Sequence, residues 1–202
     1  YGSILTVRAD HYDALADFIE KARQEAGNLL FRAWIDEVAQ RILPLIQQAT
    51  WLAAKYDIVV TNPPYMGGSN MSANLSAFVK KHYPDSKGDL FAVFIERCGD
   101  LARTDGYHAL VTQHAWMFLS SYEKFRAKLL QKEIMSMAHL GARAFEEIGG
   151  EVVQTTAFVL TNQHIDGYAG TYVRLVDAGS QEAKEELYLS GAERYTAQQE
   201  NF

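Results

Sequence analysis

Tyr56-Asp57-Ile58-Val59-Val60-Thr61-Asn62-Pro63-Pro64-Tyr65 decides how this chain is read. Its first half is a run of β-branched residues and predicts a buried strand. Its second half cannot continue one. Two prolines supply no N–H donors and fix their own φ, and each pushes the preceding residue towards extended backbone. The chain therefore leaves the strand as a stiff loop that carries one carboxamide, open carbonyls and one aromatic ring. Those groups suit a flat nitrogen base. The amide oxygen of Asn62 and the carbonyl of Pro63 can both accept from an exocyclic amino group, and Tyr65 can stack on the ring. The plainer alternative is a strand ending in an ordinary turn. The Gly67-Gly68 pair that follows weighs against it, since glycines permit positive φ and close approach of a ligand.

Downstream of this stretch, strand and helix patterns alternate. Residues 74–83 read as a helix or a mobile polar segment, with Lys80 and Lys81 as a basic pair that is either a phosphate contact or a solvated face. Lys87-Gly88-Asp89 opens a helix whose stripe of Leu90, Phe91, Phe94, Ile95, Cys98 and Leu101 packs on a sheet. Asp105-Gly106 reads as a turn and 107–112 as a strand that ends in Gln113-His114-Ala115-Trp116. Ser120-x-x-Glu123 has the form of a capping box for a helix to about residue 131. Residues 134–140 and 152–161 read as strands, separated by a loop at 141–150 that holds Phe145. A further strand at 170–177 is expected to pair after the turn at Asp166-Gly167. Beyond residue 179 the chain is polar and helical or fraying.

Upstream, residues 1–9 read as a short extended lead-in. Helical spacing of Leu15, Phe18, Ile19 and Ala22 predicts a helix over 10–26 that stops at Gly27. A second helix starts near Asn28 with Leu30, Trp34, Val38 and Ile42 on one face, and Pro44 kinks or ends it. These helices carry no catalytic constellation and read as scaffold. The expected fold is α/β, a Rossmann-like, doubly wound, mostly parallel sheet with a helical N-terminal segment. Ligands in such sheets sit beyond the carboxyl ends of the strands. Asn62 to Tyr65, His114 to Trp116 and Phe145 all lie at or near such ends.

Composition sets the outer limits. The 202 residues suffice for one domain with a real core. No apolar run reaches membrane-spanning length, so no membrane partner is expected. The single cysteine, Cys98, excludes a disulfide framework, reads as a core residue and fits a reduced, cytoplasmic setting. A net charge of −6 argues against a non-specific nucleic-acid clamp within these residues, though not against a site that receives one base. The six histidines, His11, His82, His108, His114, His139 and His164, show no metal-ligand spacing with Cys, Asp or Glu, so no metal is expected. There is no P-loop and no GxSxG elbow, and Gly149-Gly150 precedes a strand rather than opening a helix.

Asn62-Pro63-Pro64-Tyr65 resembles the target-base motif of amino-group methyltransferases that use S-adenosyl-L-methionine. Lys87-Gly88-Asp89-Leu90-Phe91-Ala92-Val93-Phe94, followed by Asp105-Gly106, is similar to the next helix of N6-adenine DNA methyltransferases. Leu140-Gly141-Ala142-Arg143-Ala144-Phe145 resembles the segment whose Phe packs against the flipped base. The likeness spans roughly residues 56–162 and is most similar to the large adenine methyltransferases of BREX phage-defence systems and fused restriction–modification enzymes.

That resemblance implies methyl transfer to N6 of an adenine flipped out of double-stranded DNA. It implies Asn62, Pro63, Pro64 and Tyr65 as catalytic, and Tyr65 with Phe145 as the base-binding pair. Asn62, Asp89, Phe91 and Phe94 would border the cofactor, and other defence subunits are possible partners. The family's Gly-rich cofactor turn and the acidic residue after the next strand are not found in residues 1–55. The missing half is therefore expected upstream of Tyr1, and a target-recognition domain downstream of Phe202. On this reading residues 1–55 are a helical segment, 56–178 the C-terminal half of a catalytic domain, and 179–202 a polar tail. The rival readings are another amino-group methyltransferase, acting on protein glutamine or RNA guanine, and a non-catalytic scaffold of the same fold.

Overall fold

A computed structural model of the chain describes residues 2–8, 10–145 and 153–201. It divides into two compact units, residues 1–55 and 56–202.

The first unit is a helical hairpin. A 3-10 turn at Gly2–Ile4 stands where an extended lead-in was expected. Helix α1 spans Tyr12–Gln24 and α2 spans Leu29–Ala53. The Asn28 side chain caps α2 by accepting the Phe31 N–H at 2.7 Å. Pro44, expected to kink or end the helix, does not end α2. Its ring removes the N–H that would reach the Gln40 carbonyl, but Ala39 and Ile46 on either side of it are buried with Ile19 and hold the helix together. The buried face also differs. Ile35, Ala39 and Ile46 are buried, whereas Leu30 and Trp34 are exposed. Its apolar residues cover a wide arc, so spacing alone does not choose which part of that arc faces inward. Arg23 joins the two helices, pairing with Glu20 at 3.0 Å and Asp36 at 2.9 Å.

The second unit is built on a six-stranded sheet in the order β1-β2-β4-β3-β5-β6. The strands are β1 Tyr56–Thr61, β2 Ala102–Gln113, β3 Glu133–Gly141, β4 Thr155–Thr161, β5 Ala169–Arg174 and β6 Arg194–Gln198. Four of them, β1, β2, β3 and β5, run the same way, which gives the mostly parallel α/β sheet expected. Strand β4 lies between β2 and β3 and is antiparallel to both. With both its edges taken, it cannot pair with β5 as the turn at Asp166-Gly167 suggested. Strand β5 instead joins the other edge of β3, in parallel.

Helices α3 (Ala73–His82), α4 (Leu90–Leu101) and α5 (Glu123–Leu129) follow the order expected. The core lies where the stripe of α4 meets one face of the sheet, around Phe91, Ile95, Leu110, Phe125, Phe158 and Leu160. Cys98 belongs to it, and burial pushes its thiol pKa up to about 11.

Several local readings change. Strand β1 was expected to be buried, yet Ile58 and Val60 are 66% and 71% exposed, because among the described residues β1 pairs with β2 alone and Val59 is its residue packed against the core. Asp105-Gly106 is not a free turn. It sits inside β2, where the register with β1 shifts between Tyr56 and Ile58. The Ser120–Glu123 capping box does not form. Residues Ser120–Tyr122 make a 3-10 turn, and α5 starts at Glu123 without a side-chain cap. Residues beyond 179 hold helix α6 (Gln181–Ser190) and strand β6, which extends the sheet beside β5. Gly149-Gly150 lies outside the described residues.

Candidate active site at the carboxyl edge of the sheet

Strand β1 ends at Thr61, its partner being Leu110 of β2. The chain then turns away as Asn62-Pro63-Pro64-Tyr65. Pro63 is buried, Asn62 and Pro64 are exposed, and Tyr65 is half-buried. The Tyr65 hydroxyl donates to the carbonyl of Val111 at 3.3 Å, one residue past the last β1–β2 pair. Its ring meets Phe91 edge-on, with centroids 6.1 Å apart. Burial raises the phenol's pKa, so it stays protonated and able to donate.

The loop after Tyr65 is fastened to the start of α4. Met66 N–H donates to the Asp89 carboxylate at 2.9 Å, and Leu90 N–H donates to the Met66 carbonyl at 3.0 Å. Gly68 N–H reaches the Gly88 carbonyl at 3.1 Å. Asp89 also caps α4, accepting the Phe91 N–H at 3.2 Å. Burial raises its pKa, against the pull of these backbone donors.

The expected site residues thus fall into three groups. Asn62, Pro63, Pro64 and Tyr65 form one rigid loop at the carboxyl edge, and among the described residues the Asn62 carboxamide has no hydrogen-bond partner. Phe91, expected at the cofactor, is a core residue at 1% exposure, and its ring touches Tyr65. Phe94 is half-buried on the next turn of α4. Phe145, also half-buried, comes four residues after β3 ends, past a sharp reversal in which Gly141 and Arg143 both take positive φ. The strand order puts the start of the Phe145 segment three strands from β1 on the same edge.

His114, at the end of β2, is joined to His139 of β3. Nδ1 of the first lies 2.8 Å from Nε2 of the second. The sequence singled out His114 but offered no sign of its partner, since their pairing depends on β4 entering between β2 and β3. Among the described residues no group of three or more His, Cys, Asp or Glu could hold a metal ion. Lys80 and Lys81 are both exposed on the last turn of α3.

A stiff polar loop at the carboxyl edge of an α/β sheet marks the class of protein. The chain belongs to the Eco57I restriction-modification methylase family, whose profile matches residues 6–145. It is 45% identical, over all of its length, to adenine-specific methyltransferase PglX of Lacticaseibacillus casei (strain Zhang). It is 46% identical, over 92% of its length, to adenine-specific methyltransferase BrxX of Escherichia coli O9:H4 (strain HS). The chain spans only 17% and 15% of those two proteins. Among solved structures, DrdV in complex with DNA shares the fold with a TM-score of 0.55 at 15% identity, covering 75% of this chain and 18% of that one. The type I restriction-modification methyltransferase subunit of Streptococcus thermophilus gives 0.51 at 18% identity, covering 73% and 35%.

Proposed function

We propose that this chain is the base-gripping part of an adenine-specific DNA methyltransferase of a restriction–modification or phage-defence system. The reaction is transfer of a methyl group from S-adenosylmethionine to N6 of an adenine extruded from double-stranded DNA. The observation that carries this reading is the exposed carboxamide of Asn62, without a hydrogen-bond partner among the described residues, on a loop held at one end by the Thr61–Leu110 strand pair and at the other by Tyr65 to Val111 and Met66 to Asp89. The identity to two adenine-specific methyltransferases supports it.

A base within a duplex is out of reach, so the enzyme must flip it out. Tyr65 and Phe145 form the two walls for its ring. Asn62 Oδ1 and the Pro63 carbonyl accept the two amino hydrogens, which draws the N6 lone pair out of conjugation and aims it. Asn62 at the end of β1 and Asp89 at the start of α4 carry acceptor oxygens that would hold the cofactor, and Phe94 would supply a half-buried ring on α4. The cofactor brings a methyl group on a sulfonium, which is already reactive. What the chain supplies is alignment and hydrogen bonding, and the surplus N6 proton leaves to water with no obligatory general base.

Within the full-length protein, residues 56–178 serve as the C-terminal half of the catalytic domain. Residues 1–55 are a helical segment before it, and 179–202 add α6 and, on the same sheet, strand β6. Its partners are double-stranded DNA and other subunits of the defence system. The test measures N6-methyladenine in host DNA with full-length wild type, Asn62→Ala and Tyr65→Ala. The expected result is modification by wild type and its loss in both variants. Wild type that leaves adenine unmodified, or variants that modify it normally, overturns the assignment.

A further inference from the structure

The His114–His139 pair has no place in the chemistry above, yet it stands on the same edge of the sheet and on the same face as Tyr65. His139 pairs with Thr156 of β4, and Thr156 shares its face with Phe158 of the core that also receives Tyr65. The two rings approach from β2 and β3 and meet over β4, bridging two strand spacings of roughly 4.8 Å each. In strand order the pair, over β4, lies between β1, which leads into the Tyr65 loop, and β3, which leads into the Phe145 segment.

The 114–119 turn that presents His114 is held firmly. His114 N–H donates to the Gln154 carbonyl at 3.0 Å. Arg126 donates to the carbonyls of Trp116 at 2.9 Å and Leu119 at 2.6 Å, and Trp116 Nε1 donates to Thr112 at 3.1 Å. Phe118 leans on both imidazoles, with centroids 5.3 and 5.8 Å away, and is itself 60% exposed.

Burial favours the neutral form of both rings. Burial lowers the pKa of His114. Burial lowers that of His139 as well, with His114, Arg174 and Lys184 adding to the effect. Two neutral imidazoles sharing one hydrogen bond have a fixed outward pattern. If His114 Nδ1 donates, its Nε2 is an acceptor and His139 Nδ1 a donor. If His139 Nε2 donates, the two outward roles exchange. Either way the pair shows one donor and one acceptor. Among the described residues neither outward nitrogen has a partner. A neutral donor–acceptor pair is a poor phosphate anchor, but its donor suits a purine ring nitrogen, which accepts.

We propose that His114 and His139 act as one unit that contacts a ring nitrogen of the extruded adenine, N1 or N7, and so sets base specificity and orientation. This rests on the reading of Asn62 to Tyr65 as the amino-group grip. The donor of the pair takes the ring nitrogen, and Phe118 keeps the two imidazoles in place.

The test uses the full-length protein and duplexes carrying its own methylation site, with adenine, 1-deazaadenine or 7-deazaadenine at the target. One analogue lacks the contacted nitrogen, and wild type should lose about 10- to 100-fold in kcat/KM on it. His114→Phe combined with His139→Phe should lose a similar factor on adenine and nothing more on that analogue. His139→Asn, which keeps a donor and an acceptor, should recover part of the activity and of the discrimination. If both analogues are methylated like adenine by wild type, or if analogue and variant losses simply multiply, the contact does not exist. If wild type modifies no adenine at all, the reading of the Asn62 loop fails first and takes the contact with it. A double variant that fails to fold leaves the wild-type analogue series and His139→Asn to decide.

Discussion

One carboxylate oxygen of Asp89 accepts the backbone N–H of Met66 at 2.9 Å and, from the other side, caps helix α4 through Phe91. The loop that follows Tyr65 and the first turn of α4 are thereby one mechanical piece. Asp89→Ala should cost about 1 kcal/mol of stability as a lost cap. It should also lower methylation beyond what that loss explains, because the Asn62 grip loosens. Asp89→Asn retains an acceptor oxygen and should recover most of both. Denaturant unfolding alongside single-turnover methylation separates the two effects.

Asn62 is exposed and has no hydrogen-bond partner among the described residues, so the fold does not depend on its side chain. Asn62→Ala should therefore unfold at an unchanged temperature while the rate falls by about 10²–10³. Equal losses of stability and rate would mark the residue as structural.

Tyr65 combines two contacts that substitutions can separate. Tyr65→Phe removes only the donation to Val111 and should cost about 1 kcal/mol, with the ring still packed on Phe91. Tyr65→Ala removes the ring too and should abolish methylation. Thermal unfolding and a methyl-transfer assay on the pair of variants check this ordering.

Gly106 is required by space rather than by a turn. A Cβ there would stand 2.9 Å from Arg103 N and 3.0 Å from the carbonyl oxygens of Asp57 and Tyr56, all backbone atoms that cannot swing aside. Gly106→Ala should destabilise by about 1–3 kcal/mol, by prising β1 from β2. Differential scanning calorimetry reads the change directly.

His108 is fully buried in β2, and burial, with Lys132 nearby, lowers its pKa to about 3. The folded state thus keeps it neutral while the unfolded chain protonates it near its ordinary value of about 6.5. Its contribution is intact above that value and is lost as pH falls from there towards 3. Between pH 7 and 5 the loss should be about 2 kcal/mol. Unfolding at both pH values, with wild type and His108→Leu, tests this. The variant should lose less stability on acidification than wild type.

The local chemistry of the chain was legible from its residues. The strand over 56–61, the proline break after Thr61, the apolar stripe of α4 and the start of α2 near Asn28 all follow from nearest-neighbour sterics and spacing. Side-chain choice between two apolar faces was not. On α2 the spacing favoured Leu30 and Trp34, but the hairpin buries Ile35 and Ala39, because only packing against α1 distinguishes them. The Ser120–Glu123 pattern likewise suited a capping box, until Arg126 drew the Trp116 and Leu119 carbonyls into a 3-10 path.

By itself, then, the sequence determined that a rigid Asn-Pro-Pro-Tyr loop leaves an α/β strand and what its atoms can accept, since proline and amide chemistry are local properties. Tertiary structure alone decided what surrounds that loop. Only when β4 inserts between β2 and β3 do His114 and His139 come within 2.8 Å. Only when α4 docks on the sheet does Phe91 become the support of Tyr65 rather than a free ring. Residues 25 or more positions apart meet through strand order, and strand order depends on which edges the earlier strands have already filled.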